Sequence, residues 1–420
     1  MRITQSLDER RHQAFGSGTI EDLVMSEDVM HPAGTHLFPT MDRVIFGKEA
    51  AATLAAEVDR LGKRRVFLMV SRTLNTTTSE IEKLRAALGE RFAGSYDQIP
   101  QHTSRQAAVD AARAAAAANA DLVVAVGGGS VIDAAKIALI CIEHMIFEPD
   151  LLDGFEIRVG PDRLPVRPTY RPPSVRMIAI PSTLSGGEYN AGCLVTDTRR
   201  NLKQTFFHPM MMPLAIILDP ALTLHTPEIL WLGSGTRAMD HAIEALCSNN
   251  GTPLVDACVL RGVQLMAANL PASRAAPENV RLRGQCQIAS WLCSAGLQAR
   301  VWMGASHAIG HVLGGSFGVA HYLCTPVMMQ GVLRYNQPST TQAQSQLAEA
   351  LGRPSGSAVE ALGDLFQSLG LPTRLGDVGI TESQFETIAR ITMREEMFIH
   401  TNPRGARQWE DVRDILELAA

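Results

Sequence analysis

Asp121-Leu-Val-Val-Ala-Val-Gly127-Gly128-Gly129-Ser130-Val-Ile-Asp133-Ala-Ala-Lys136 is the stretch from which the fold can be read. A short apolar run ends on three glycines, and a helical pattern starts at once, so the order is strand, glycine turn, helix. Glycines permit positive φ and let backbone N–H groups approach an anion with no Cβ in the way. Ser130 is expected to cap the helix, whose N-terminal dipole would face the same anion. Alone, such a cluster fits a plain tight turn as well as a phosphate cradle.

The neighbouring segments favour the cradle. Upstream, Arg43 opens a short strand, residues 49 to 62 read as an amphipathic helix, and Arg65 to Val70 as an apolar strand. A helix over 78 to 92, a strand near 93 to 96 and an alanine-rich helix over 105 to 119 follow. Downstream, residues 147 to 173 form a Pro-, Arg- and Gly-rich insertion before a strand at 175 to 180. Repeated strand and helix imply a mostly parallel sheet covered on both faces. After Asp219-Pro220 only long amphipathic helices are expected, at 228–248, 253–270, 276–297, 300–313, 340–351, 356–369 and 382–395. The expected architecture is an extension over 1–40, a Rossmann-like α/β domain over 41–222, and an all-α domain over 223–420.

Composition narrows the class. The 420 residues exceed one usual domain of ~150, and 46% hydrophobic with 19% charged residues is globular. A net charge of -5 offers no general attraction to nucleic acid or anionic membranes. Seven scattered cysteines without a CxxC pair suit a reducing cytoplasm, and no apolar run reaches the ~20 residues of a membrane span.

A second loop, Pro181-Ser182-Thr183-Leu184-Ser185-Gly186-Gly187-Glu188, follows the strand at 175 to 180. Hydroxyls and glycines at the carboxyl end of a strand are where ligands of open α/β sheets bind. With Gly128, Gly129 and Ser130, the residues Ser182, Thr183 and Ser185 are candidates to flank one dinucleotide. The strand at 65–70 ends in Ser71-Arg72, with no acidic residue to engage a ribose. Ser71 leaves room for a 2′-phosphate that Arg72 could neutralise, so NADP is expected to be tolerated beside NAD.

His307 and His311 stand at i and i+4 on one helix face, and Gly310, Gly314, Gly315 and Gly318 allow the chain to bring His321 back towards it. His241 is a fourth candidate. Such a cluster could hold a divalent metal or could bind and protonate an anionic substrate. Arg237, one turn before His241, opposes a dication and offers a planar fork for a carboxylate. Asp240 is expected to point elsewhere.

Taken together these residues resemble the iron-containing, or group III, alcohol dehydrogenase superfamily, from about Arg43 to Arg404. The carriers are the stretch from Gly127 to Lys136, the Pro181-Ser-Thr loop, Lys203, Asp219-Pro220, His241-Ala-Ile-Glu-Ala, and the set His307, His311 and His321. The resemblance implies a cleft for NAD or NADP and substrate between the two domains, with Asp133 and Lys203 added to the cofactor set. It also implies a homodimer. Metal-dependent members use one aspartate and three histidines. Here His241, His307 and His321 match, and they would be the ligands if a metal is present, but Arg237 stands at the aspartate position. That departure, with Thr401-Asn402-Pro403-Arg404, is similar to the maleylacetate reductase branch, taken to work without metal. The expectation is an NAD(P)H-dependent reductase of an unsaturated keto acid in aromatic-compound catabolism. His307 and His311 would donate and orient the proton, and His241, His321 and Arg237 would hold substrate oxygens. The alternatives are an iron- or zinc-dependent alcohol dehydrogenase and a non-catalytic nucleotide-binding protein.

Overall fold

A computed structural model describes residues 33–160, 165–200 and 202–420, so most of the expected extension lies outside the described residues. The strands are β1 Arg43–Phe46, β2 Val66–Val70, β3 Phe92–Tyr96, β4 Leu122–Gly127, β5 Arg176–Pro181, β6 Gly192–Asp197, β7 Leu202–Phe207 and β8 Ala215–Leu218. Six of them make one parallel sheet in the order β1-β8-β5-β4-β2-β3. Alternate residues of each central strand enter opposite cores, as the two-residue strand period requires. Val66, Leu68, Val124 and Ile178 face α1 (Ala50–Arg60) and α3 (Glu80–Leu88), which follows the short α2 (Arg72–Thr77). Phe67, Met69, Val123 and Ala179 face α4 (Arg105–Ala117) and α5 (Gly129–His144).

The chain leaves β2 towards β3 and leaves β4 towards β5, in opposite directions across the sheet. A crevice therefore opens between the carboxyl ends of β2 and β4, the place where open α/β sheets bind ligands. Ser71 and the glycine loop stand at its two lips.

Sequence patterning missed β6, β7 and β8. The first two pair antiparallel outside the main sheet, with Val195 opposite Gln204. Residues 150–156 of the Pro-rich insertion fold against their turn. Arg199 and Arg200 reach Asp150, Asp153 and Glu156, and Asp197 accepts from both arginines.

Beyond β8 the chain is helical: α6 Glu228–Cys247, α7 Pro253–Ala275, α8 Val280–Cys293, α9 Ala305–Ser316, α10 His321–Asn336, α11 Thr341–Ala350, α12 Ala358–Ser368, α13 Phe385–Thr392 and α14 Trp409–Glu417. One core joins α6, α7, α8, α11 and α12 through Met239, Val263, Ala289, Leu347 and Leu362. Another joins α9, α10, α13 and α14 through Ile309, Val327, Ile388 and Ile415. From Trp231 to Cys247 every residue of α6 is buried. A helix enclosed all round must pair whatever polar groups it carries, and that demand shapes the site.

Candidate active site

The glycine turn is built for close approach. Gly127 has φ +153°, and a Cβ there would lie 3.0 Å from Val131 and 3.2 Å from the Cβ of Ser71. A Cβ on Gly128 would come 3.2 Å from Thr183, and one on Gly129 3.2 Å from Ser185 Oγ. The two loops thus touch, as expected of loops gripping one ligand. The expected Ser130 cap is corrected: the N-cap is Gly128, which has no side chain to satisfy the first N–H groups of α5. Ser130 lies inside the first turn, where its Oγ accepts from His102 N and its carbonyl accepts from Thr103 Oγ1. Exposed N–H groups at a helix start, lined by glycine, fit a pyrophosphate. At the far lip Ser71 N donates to Val126 O, and Arg72 donates to Gln98.

Beneath the turn lies a buried ionic nest. Lys136 Nζ donates to the carbonyls of Gly187 (2.6 Å) and Gly192 (2.8 Å), tying the second loop and β6 to α5. Burial pushes Asp133 up to about 6 and Glu188 up to about 7, partly offset by Lys136. Asp133 accepts from the backbone of Leu194. Lys203 on β7 lies within reach of the charges of Asp133, Arg237 and Glu395, and burial lowers its pKa.

The second loop continues into the helical half. Ser182 N donates to Gly127 O, Leu184 N donates to Ser234 Oγ, and Ser290 Oγ donates to Leu184 O. Leu184 itself is fully buried in the core around α6. Gly186, at φ +74°, leaves no space for a Cβ: it would sit 2.5 Å from Ser294 Oγ and 3.3 Å from His241 Nδ1. One loop thus touches both the glycine turn and the histidine cluster.

In that cluster the ring centroids of His241 and His307 are 5.0 Å apart, those of His307 and His311 6.4 Å, and those of His311 and His321 6.0 Å. The four expected histidines converge. The chain reverses after α9, with Gly318 at φ +72°, and His321 opens α10. Helical spacing places Arg237, Asp240, His241 and Glu244 along one side of α6. Asp240 was expected to point elsewhere. It is instead fully buried, paired through Oδ2 with Arg237 and Thr325 Oγ1, with Oδ1 3.9 Å from His307 Nδ1. Glu244 accepts from Gly304 N (3.0 Å) and Ser306 N (2.7 Å) and bonds His307 Nδ1. His311 Nδ1 meets Glu395 Oε2 at 3.1 Å, and Phe398 packs over both imidazoles.

Burial, with Arg237 second, holds His241 and His307 well below the usual imidazole value. Burial followed by Lys203 does the same to His321. His311 is lowered by burial but pulled back up by Glu395. Burial raises Glu244 against the pull of its N–H donors. Asp240 Oδ1, His241 Nδ1, His307 Nε2 and His321 Nδ1 are buried with no hydrogen-bond partner among the described residues. Unmet polar atoms on this scale indicate that something polar enters here.

Residues 40–220 match the family profile of iron-containing alcohol dehydrogenase, and residues 232–420 match the C-terminal part of the Fe-containing alcohol dehydrogenase family. The chain belongs to the iron-containing alcohol dehydrogenase family. It is an oxidoreductase of that family. It is 29% identical to the maleylacetate reductase of Burkholderia cepacia over 377 residues, covering 90% of this chain and 95% of that one. Among solved structures it superposes on maleylacetate reductase from Agrobacterium tumefaciens with a TM-score of 0.76 and 25% identity, covering 92% and 98% of the two chains. It shares its fold with sulfoacetaldehyde reductase from Bifidobacterium kashiwanohense in complex with NAD+, at TM-score 0.80, 21% identity and coverage of 92% and 99%.

For an iron-family oxidoreductase the question of a metal is sharp, and the expectation of a site without one needs correction. Asp240, Glu244 and His307 offer ligand atoms within 4.8 Å of one another, so a grouping able to hold a metal is present. It is not the trio His241, His307 and His321 suggested by the resemblance. Its fit to a dication is poor as arranged. Both Glu244 oxygens already accept backbone N–H groups, and Asp240 Oδ2 is committed to the fixed cation Arg237.

Asp240 and Glu244 were missed although a signal existed, since they follow Arg237 and His241 at helical spacing of three. Glu395, 84 positions from His311, had none, and Asn402, whose Oδ1 accepts from Ala305 N 97 positions away, was visible only through the resemblance of Asn402-Pro403-Arg404, with no signal for its contact.

Proposed function

We propose that this oxidoreductase is an NAD(P)H-dependent reductase of the maleylacetate reductase kind, which saturates the carbon-carbon double bond of an unsaturated keto acid without using a metal. The observation that carries the reading is Arg237. It is a buried guanidinium, held by Asp240, at the place where metal-dependent relatives are expected to have an aspartate ligand. A fixed cation facing unpartnered imidazole nitrogens suits a carboxylate-bearing substrate and can stabilise enolate charge as it develops.

Gly128 and Gly129, the uncapped start of α5, Ser182, Thr183, Ser185 and Lys203 would hold the dinucleotide, with Ser71 beside its ribose. When bound, such a cofactor supplies a hydride. The residues of this chain do the rest. His311 is the proton donor best supported, because Glu395 alone among the carboxylates backs an imidazole whose pKa is only moderately lowered. Arg237, His241 and His321 bind the substrate's oxygens, and Phe398 helps to shield the reacting carbon from water.

A second reading is supported by the grouping of Asp240, Glu244 and His307: an iron- or zinc-dependent alcohol dehydrogenase or aldehyde reductase. A cofactor-oxidation assay with maleylacetate, short keto acids and aldehydes, run with and without chelator, tests both. The expected result is turnover of maleylacetate that chelator leaves untouched. Stoichiometric metal whose removal abolishes turnover would sink the leading reading.

A further inference from the structure

The helix α9 carries His307 and His311 but begins at Gly304, which has no side chain to cap it. Its first N–H groups are met from elsewhere. Gly304 N and Ser306 N donate to the two oxygens of Glu244, and Ala305 N donates to Asn402 Oδ1 at 3.2 Å. Asn402 is in turn locked to Asn336 by two hydrogen bonds between their side-chain amides: Asn336 Nδ2 donates to Asn402 Oδ1 (3.1 Å) and Asn402 Nδ2 donates to Asn336 Oδ1 (2.7 Å). The same Glu244 carboxylate also bonds His307 Nδ1.

We propose that Glu244 is a positioning residue that caps the catalytic helix from α6 and fixes the tautomer of His307, with the proton on Nδ1 and an open lone pair on Nε2. The argument is one of donor and acceptor count. Glu244 accepts a backbone N–H on each of its oxygens, the bonds of an ionised carboxylate, and is proposed to accept the one from His307 Nδ1 as well. A neutral imidazole facing it must carry its proton on Nδ1, and Nε2 is then an acceptor. That Nε2 is one of the buried, unpartnered atoms of the site. His307 therefore meets the substrate as a hydrogen-bond acceptor, and the donating role expected of it passes to His311. This assignment rests on the reading of the histidine cluster as the active site.

The test uses the full-length chain labelled with 15N-histidine, His307→Gln to assign the signal, and the variants Glu244→Gln and Glu244→Asp. In the wild type the His307 resonances should be those of a protonated Nδ1 and an unprotonated Nε2. Glu244→Gln keeps the shape but can turn a donor towards Nδ1. It should shift the population to the other tautomer and lower kcat by about 10²-fold with KM little changed, and Glu244→Asp should recover part of the loss. A wild-type His307 protonated on Nε2 would overturn the proposal, whether or not the variants fold. So would a Glu244→Gln enzyme with an unaltered tautomer, even if its kcat fell. The spectrum needs no substrate, so failure of every keto acid to turn over would count against the proposed reaction and leave the tautomer result standing.

Discussion

The molecule buries two clusters of charge, one under the glycine turn and one on α6, and they are resolved in opposite ways. Under the turn, the Lys136 ammonium meets two backbone carbonyls, and the neighbouring carboxyls of Asp133 and Glu188 are pushed up by burial. The ammonium's bonds close on the protein itself, and Glu188 Oε2 is the one carboxyl oxygen there without a hydrogen-bond partner among the described residues. On α6, Arg237 and Asp240 pair, yet one oxygen and three imidazole nitrogens around them stay unpartnered. A buried cation whose bonds close on backbone carbonyls holds the fold together, whereas a cluster with four unpartnered atoms around one helix is held ready for a ligand.

The largest test of that contrast is Lys136→Met. It strands two carbonyls and removes the counter-charge of two buried carboxyls, so denaturant unfolding should show a loss of about 3–5 kcal/mol. A loss below about 1 kcal/mol would mean that the nest is not structural. In the other cluster, Glu395→Gln should lower kcat about tenfold with an unaltered unfolding midpoint. Because Glu395 raises the pKa of His311, and His311 must be protonated to donate, the pH above which kcat declines should move down. A rate profile across pH 5–9 reads this, and an upward move would break the assignment.

Stability against pH carries two opposing contributions from these groups. His241, His307 and His321 have folded values below the unfolded 6.5, so in that window the unfolded chain binds more protons. Their contribution is complete above about 6.5 and is lost as pH falls, at up to about 1.4 kcal/mol per unit for each group. Glu188 has the opposite sign: its folded value of about 7 exceeds the unfolded 4.5, so its contribution is present at low pH and lost as pH rises through 7. Chemical denaturation at stepped pH should show both limbs, and Glu188→Gln should reduce only the alkaline one, to which Asp133 and Glu244 also contribute. The smallest effect expected is from Asn402→Ala, about 1 kcal/mol for a lost bond to the start of α9, read as a lower melting temperature.

Much of this could be read from the chain because the signals are local. The glycine turn and the alternation around it are set by neighbours within a few residues, and the parallel sheet followed. The hairpin of β6 and β7 escaped because β7 carries the polar run Lys203-Gln204-Thr205, and its turn carries the charged run Thr198-Arg199-Arg200. The histidines were visible through their spacing. Asp240 was misjudged because adjacency to His241 was weighed and its i+3 relation to Arg237 was not. Glu395 and Asn402 reach the site through tertiary packing, which no periodicity encodes.

Leu184 gives the second loop a mechanical meaning. The loop grips the glycine turn at one end, while Leu184 is sunk in the helical core. Drawing the two halves apart at this point would expose that side chain, at a cost of about 2 kcal/mol, besides breaking its two backbone bonds. The loop works as a rivet between the halves, so widening the cleft at this point means drawing Leu184 out of the helical core.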